Sequence, residues 1–142
     1  MAYYKKVQKS VNNLWYPQSY VVGRTNTRAL AKHISEGTTL SVTDVMAVLT
    51  ALPSAMSHYM ALGESVKLDN VGIFYYTADA SGQGVKTPEE VSVKQINGVH
   101  VRFIPAGTRR QNGSYSERPM IAKEITWKEF SEYTSPVSGE DE

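Results

Sequence analysis

Gly63-Glu64-Ser65-Val66-Lys67-Leu68-Asp69-Asn70-Val71-Gly72-Ile73-Phe74 is the stretch that decides the fold of this chain. It joins the end of a long amphipathic helix to a strand in which apolar and polar residues alternate. A second strand, Val99-His100-Val101-Arg102-Phe103-Ile104-Pro105, follows after a long polar segment with no core-forming helix. Within that segment, residues 91–96 alternate apolar and polar side chains less regularly, as in a solvated hairpin strand. This order of helix, strand pair, long hairpin and returning strand predicts an α+β domain with a projecting arm.

Two helices are predicted before this stretch. The shorter one runs from about Thr27 to Ser35. The longer one begins at Ser41, which is placed to form a capping box with Asp44, and its apolar residues recur at helical spacing until Gly63. Pro53 lies inside this pattern and removes one backbone donor. Because the apolar period continues beyond the proline, the sequence predicts a kink and not an end.

The segment before the helices has the composition of β-structure. Residues 2–22 are rich in Tyr, Trp and Val, and Asn12-Asn13 offers a turn because Asn tolerates positive φ. We therefore predict an N-terminal β-hairpin.

Three segments are predicted from these patterns. Residues 1–25 form an N-terminal β extension, residues 26–110 the main domain, and residues 111–142 a C-terminal extension with an acidic, disordered end. Within the last segment, Ile121 to Phe130 predicts one more strand or a short helix.

Composition excludes several classes of protein. The 15.8 kDa chain has no cysteine, so disulfide scaffolds, thiolate metal sites and thiol nucleophiles are excluded. No apolar run approaches the roughly 20 residues of a membrane span, and the N-terminus lacks the apolar segment of a signal peptide. We therefore expect no membrane association and a cytoplasmic location. The net charge is only +1, so a DNA-binding chain would need its positive charge concentrated locally.

The pattern G-E-x-V-x-L-x-x-V-G-x-F over residues 63–74, followed by V-R-F-I-P at 101–105, resembles the HU/IHF family of bacterial histone-like DNA-binding proteins. The likeness covers roughly Thr27 to Arg110, and the two extensions resemble those of longer HU-like proteins of Bacteroides type. It implies an IHF-like fold, with a helical base, an antiparallel β saddle and a β-arm that follows the DNA minor groove. It also implies an intertwined homodimer and an association with the nucleoid.

The resemblance, together with local charge, selects candidate DNA-binding residues. Strand and near-strand cations are placed to contact phosphate, and the arm supplies further candidates: Lys67, Lys86, Pro88, Lys94, Arg102, Arg109 and Arg110. The arm departs from the family pattern, because residues 77–96 hold two lysines against three acidic residues, a net charge of −1. Pro88 follows Thr87 where the family has Arg-Asn, so an ordinary turn proline is the alternative to a proline that wedges between base pairs.

The expected function is non-enzymatic, largely sequence-independent binding of double-stranded DNA in an architectural role. The alternative is an HU-like scaffold that binds proteins, which the near-neutral charge and acidic arm favour. An enzyme is disfavoured, because His33, His58 and His100 are dispersed and Gly82-Gln-Gly-Val-Lys-Thr lacks phosphate-loop spacing. We therefore expect no cofactor, no metal and no small-molecule substrate.

Overall fold

The structure is a computed structural model, and it describes residues 1–130. The elements follow in the order β1 (Ala2–Gln8), β2 (Trp15–Tyr20), α1 (Thr27–Glu36), α2 (Val42–Ala61), β3 (Val66–Leu68), β4 (Gly72–Asp79), β5 (Gly98–Pro105), β6 (Thr108–Arg109), β7 (Tyr115–Glu117) and β8 (Trp127–Glu129). Two helices with several small sheets make an α+β fold, as predicted.

The chain divides into two compact units. The first comprises Met1–Asn26 with Ala122–Glu142, of which the structure describes residues up to 130. The second is Thr27–Ile121. The three segments inferred from the sequence, residues 1–25, 26–110 and 111–142, stay a prediction. The acidic end, predicted to be disordered, lies outside the described residues.

The first unit is a three-stranded sheet with the order β2-β1-β8. Strands β1 and β2 form the predicted antiparallel hairpin, and Asn13 adopts the left-handed conformation at its turn, with a φ of 56°. Strand β8 lies parallel to β1, held by a 2.8 Å hydrogen bond from the Phe130 amide to the Tyr4 carbonyl. Of the two alternatives predicted for residues 121–130, the structure shows a short strand.

Local side-chain hydrogen bonds define the start of the longer helix of the second unit, α2. The Asp44 amide donates to Ser41 Oγ at 3.1 Å, and the Ser41 amide donates to Asp44 Oδ2 at 3.2 Å, which completes the predicted capping box. Helix α2 then continues through Pro53 to Ala61, so the proline does not end it. Helix α1 packs against α2, and Ala31 is completely buried.

Strands β3, β4 and β5 form the central sheet, in which both neighbouring pairs are antiparallel. The turn between β3 and β4 places Asn70 in the left-handed region, with a φ of 65°. Gly72 follows with a φ of 152°, buried against β5. The ladder of β4 and β5 starts at the pair Gly72 and Pro105 and ends at Asp79 and Gly98.

The segment between β4 and β5 corrects the sequence prediction of a solvated strand over Val91 to Ile96. Residues 80–97 contain two short 3₁₀ helices, Pro88–Glu90 and Val93–Gln95, and no strand. The Ser92 amide donates to Gln95 Oε1 at 3.0 Å, so local side-chain bonding curls the backbone at the point where an extended chain was predicted. The predicted arm is therefore, over these residues, a folded loop, which we call the 80–97 loop.

The apolar interior of the described residues is small. Within residues 1–130, three hydrophobic residues, Ala31, Val45 and Met60, are buried, and no side chain larger than these is fully enclosed. Large apolar side chains on the helices and sheet remain exposed, among them Val48, Tyr59 and Leu62 on α2 or at its end. A single chain therefore leaves much of its apolar surface in contact with water.

Candidate nucleic-acid interface

The register of the central sheet places two of the predicted cations on one face. Lys67 of β3 pairs with Ile73 of β4, which in turn pairs with Ile104 of β5. Arg102 lies two residues before Ile104 and pairs with Tyr75. Paired residues, and residues two apart on one strand, point to the same side of a sheet. Lys67 and Arg102 therefore share a face, and two strand spacings with two residues of rise put their Cα atoms roughly 12 Å apart.

We call this side of the sheet the cationic face; it carries Lys67, Ile73, Tyr75, His100 and Arg102. Lys67 and Arg102 are both exposed to solvent. A face that mixes two cations with an aromatic and aliphatic side chains can contact both the phosphates and the sugars of a nucleic acid.

The opposite side, which we call the apolar face, carries Val66, Phe74, Val99, Val101 and Phe103. The rings of Phe74 and Phe103 pack with their centroids 4.7 Å apart. Val99 and Val101 stay 60% and 61% exposed, so the part of this face on β5 is not covered by the helices of the same chain. The two sides of the sheet are therefore chemically different, and only one carries cations.

An acidic group lies at the far end of the cationic face. Hydrogen bonds from the side chain and the amide of Ser81 hold the pKa of Asp79 below its ordinary value of 3.8, and His100 lowers it further. The Ser81 amide lies 3.2 Å from Asp79 Oδ1, and His100 Nε2 lies 3.7 Å from Asp79 Oδ2. A carboxylate here repels phosphate, so the positive charge of this face is concentrated toward Lys67 and Arg102.

Strands β6 and β7 form a second cationic structure, which we call the arginine hairpin (residues 108–118). Its turn is built by Asn112 and Gly113, with Gly113 in the left-handed region at a φ of 83°. The Arg110 amide donates to the Ser114 carbonyl at 2.7 Å, and the Ser114 amide donates to Asn112 Oδ1 at 3.0 Å. These bonds fix the backbone at and after Arg110, and the pairing of Arg109 with Tyr115 holds the other predicted cation of this segment.

Sequence reasoning missed two residues of this hairpin, Tyr115 and Arg118. The Arg118 guanidinium carbon lies 4.2 Å from the centre of the Tyr115 ring, and that of Arg109 lies 5.8 Å from it. A ring that holds two guanidinium groups orders them while both remain exposed. The available signal was an Arg-Arg pair and a third arginine on either side of an Asn-Gly turn, which is typical of a hairpin.

A groove of about 620 Å³ adjoins both the cationic face and the arginine hairpin. Residues from both structures line it, including Lys67, Ile104, Thr108 and Glu117. The backbone between them is fixed by a 3.0 Å hydrogen bond from the Ala106 amide to the Val71 carbonyl. Of the cations of the two structures, Lys67 lines this groove, together with the acidic Asp69 and Glu117.

The remaining predicted residues, Lys86, Pro88 and Lys94, lie in the 80–97 loop and are exposed. Pro88 is the first residue of a 3₁₀ helix, and Lys94 lies in the next one. Within the loop the two lysines are balanced by Glu89 and Glu90, so its formal charge is zero. The described contacts do not bring these three residues together with the cationic face.

Residues 1–130 were also searched for two features of other protein classes, a metal site and a membrane-spanning helix. No group of three or more His, Asp or Glu side chains within residues 1–130 has a geometry that could hold a metal ion. His58 packs edge-on against Tyr59 with centroids 5.1 Å apart, and His100 contacts Asp79. Over the same range, no helix has both the length and the apolar character that crossing a bilayer demands.

Comparison with known proteins adds one finding. A family model described as HU-HIG, an HU domain fused to wHTH, Ig, or Glycine-rich motif, matches residues 2–119. The searches of curated proteins and of solved structures gave no match.

Proposed function

The chain belongs to the HU-HIG family of HU-domain proteins, and we propose that it binds double-stranded DNA as an architectural protein of the nucleoid. HU domains belong to a DNA-binding, non-enzymatic family. The observation that carries the proposal is the sheet register, which places Lys67 and Arg102 on one exposed face and the apolar residues on the other.

The proposed interface extends from the cationic face to the arginine hairpin. Lys67 and Arg102 contact phosphates of one backbone, and Arg109 and Arg110 contact phosphates further along. Arg118 belongs to the same set, because it and Arg109 share the Tyr115 ring. Arginine forms two parallel hydrogen bonds to a phosphate, so an ordered guanidinium pair loses little entropy on binding. Contacts of this kind position the protein without reading base sequence, which supports sequence-independent binding.

The active form in this proposal is a homodimer. On the sheet, Val99, Val101 and Phe103 are 60%, 61% and 43% exposed; on α2, Val48 is 60% exposed, and Leu62 at its end is 66% exposed. Burying apolar surface contributes about 25 cal/mol per Å², so covering these side chains with a second copy is strongly favourable. A dimer would also double the number of phosphate contacts, which raises both the affinity and its dependence on salt.

The 80–97 loop has a separate role in the proposal. In family members the corresponding arm follows the minor groove, and an apolar wedge between base pairs bends the duplex. Pro88 is exposed at the start of a 3₁₀ helix and is the candidate wedge, with Lys86 and Lys94 as phosphate contacts. The zero net charge of the loop makes its contribution to affinity smaller than that of the cationic face.

That neutral loop favours the second candidate function, an HU-like scaffold that binds proteins and not DNA. A titration of a labelled duplex at several salt concentrations separates the two. DNA binding predicts that log affinity falls linearly with log salt, by about 0.9 for each phosphate contacted. The triple variant Arg102→Ala/Arg109→Ala/Arg110→Ala should bind more weakly and with a shallower slope. If the wild-type protein does not bind even at low salt, the scaffold function stands and the DNA function is wrong.

A further inference from the structure

The first unit presents an aromatic surface that the DNA proposal does not use. On β1, Tyr4 and Lys6 are two residues apart and so point to the same side of the sheet. Lys6 pairs with Pro17 and Gln8 with Trp15, while Ala2 pairs with Trp127 of β8. The register therefore places one residue set on a single face, which we call the tryptophan face: Tyr4, Lys6, Trp15, Pro17 and Trp127.

The two sides of this sheet differ in how their aromatic residues are used. On the side opposite the tryptophan face, Tyr20 packs against Phe130 with centroids 4.5 Å apart, and Tyr3 meets Phe130 edge-on at 6.0 Å. On the tryptophan face, Trp15 and Trp127 are 66% and 57% exposed. On the first side the aromatic rings pack against one another, whereas on the tryptophan face the two largest rings are exposed to solvent.

The exposed rings border a concave surface. A groove of about 680 Å³ is lined by Tyr4, Lys6, Trp15 and Trp127, among others. Tryptophan is highly buried on average in folded proteins, so two exposed indoles around one groove indicate a ligand with flat, apolar faces.

The charge of the described residues narrows the class of that ligand. The described residues of the first unit carry six cations against Glu124 and Glu129, which leaves +4, although the whole chain carries only +1. The cations are Lys5, Lys6, Lys9, Arg24, Lys123 and Lys128. Four acidic residues of the same unit lie outside the described residues and bring the formal charge of the whole unit to zero. The positive charge is therefore local to the described part, where Lys6 lies on the tryptophan face itself, and it favours an anionic ligand.

We infer that the tryptophan face binds single-stranded nucleic acid by stacking unpaired bases on Trp15, Trp127 and Tyr4. A single strand offers both requirements at once, a phosphate backbone and flat bases, whereas a duplex keeps its bases stacked inside. Strand geometry puts the Tyr4 and Trp127 Cα atoms roughly 8 Å apart and those of Tyr4 and Trp15 roughly 14 Å apart. The face therefore accommodates a few nucleotides.

Lys6 supplies a phosphate contact at the centre of this face. Its Nζ lies 3.2 Å from Glu129 Oε2, and the two side chains are 63% and 45% exposed. An ion pair this exposed contributes little to stability, so Lys6 can exchange the carboxylate for a phosphate at small cost. None of the residues proposed for duplex binding lies in this unit, so the inference is independent of the duplex proposal.

The chain itself contains the probe for this inference. It has two tryptophans, and both lie on the tryptophan face, so intrinsic fluorescence reports on this surface alone. A titration of the full chain with oligo(dT) should quench that fluorescence, because a stacked base quenches an indole. A duplex of equal length, followed separately by the anisotropy of a label, should bind without comparable quenching.

Two substitutions and a control make the test specific. Trp15→Ala and Trp127→Ala should each weaken oligo(dT) binding roughly five- to 150-fold, the range expected for one lost stacking contact. Val11→Ala removes an apolar side chain that is 95% exposed in the same hairpin and should leave binding unchanged. Circular dichroism of each variant establishes that the fold is kept.

Three results would overturn the inference. The first is oligo(dT) that causes no quenching at low salt, and the second is a folded Trp15→Ala variant that binds oligo(dT) as tightly as wild type. The third is quenching by a proline-rich peptide and not by oligo(dT), which would assign the face to peptide binding. Duplex binding is followed by the anisotropy of a label and oligo(dT) binding by tryptophan fluorescence. The proposal of duplex binding and the proposal of single-strand binding can therefore be refuted separately.

Discussion

Replacing Gly72 by Ala should destabilise the second unit strongly, because strand β5 passes too close to this residue to leave room for a side chain. A Cβ atom at this position would overlap the backbone carbonyl oxygen of Ile104 and lie 2.5 Å from Cε2 of Phe103. The carbonyl belongs to the paired strand and cannot move without breaking the ladder. The φ of 152° is itself unfavourable for any residue with a side chain.

The size of the effect follows from these two contributions. Backbone strain of this kind costs about 1–3 kcal/mol, and forcing extra atoms into a packed site costs about 1–3 kcal/mol more. The expected loss of unfolding free energy is therefore about 2–6 kcal/mol. With an m-value of about 2 kcal/mol per molar urea, the midpoint of unfolding falls by about 1 M or more.

Two other glycines provide matched controls in urea unfolding at one protein concentration. Gly63 has a φ of 86°, but no atom lies within 4 Å of the position that an alanine Cβ would take, so Gly63→Ala should cost only about 1–2 kcal/mol. Gly84 has neither constraint, and Gly84→Ala should stay within about 1 kcal/mol of wild type. If Gly72→Ala is no more destabilising than Gly63→Ala, the close approach of β5 to Gly72 is wrong.

Three further predictions concern the helix cap, pH and the assembly. Ser41→Ala removes one half of the capping box and should lower the free energy of unfolding by about 1 kcal/mol in urea, and no change would contradict the cap. The lowered pKa of Asp79 adds stability that is fully present above its ordinary value of 3.8 and is lost as the pH falls through the lowered value. Between pH 6 and pH 2 the unfolding temperature should therefore fall less for Asp79→Asn than for wild type. Identical profiles would show that Asp79 does not contribute to the loss of stability in acid. Light scattering on a size-exclusion column should give about twice 15.8 kDa, and a monomer at micromolar concentration would contradict the homodimer.

Local patterns in the sequence predicted the parts of the fold that local interactions determine. The Ser41 capping box, the extent of α2 and the N-terminal hairpin depend on residues close together in the chain, and the structure confirms them. The continuation of α2 past Pro53 was predictable because the apolar period does not stop there.

Features that depend on distant residues were not predictable in the same way. The parallel pairing of β8 with β1 joins Trp127 to Ala2, and nothing near either residue encodes it. One local feature was also predicted wrongly: residues 91–96 were predicted as a solvated strand because apolar and polar residues alternate there. The Ser92 amide instead donates to Gln95 Oε1, three residues further on, and curls the chain. Among the candidate site residues, the positions of Lys67 and Arg102 on strands were predictable from the sequence. That both side chains lie on the same face of the sheet follows only from the strand register, which the sequence does not give.

The central claim is that geometry, and not total charge, makes the cationic face bind duplex DNA. The direct measurement is the salt dependence of duplex affinity for two double variants that remove the same charge. Lys67→Ala/Arg102→Ala alters the cationic face, whereas Arg28→Ala/Lys32→Ala alters exposed cations of α1.

The account predicts that the first variant loses affinity and that its slope of log affinity against log salt becomes shallower by about 1.8, the contribution of two phosphate contacts. The α1 variant should keep a slope close to that of wild type. Equal losses in both variants would contradict the account, because they would show that the charge acts without regard to its position on the sheet.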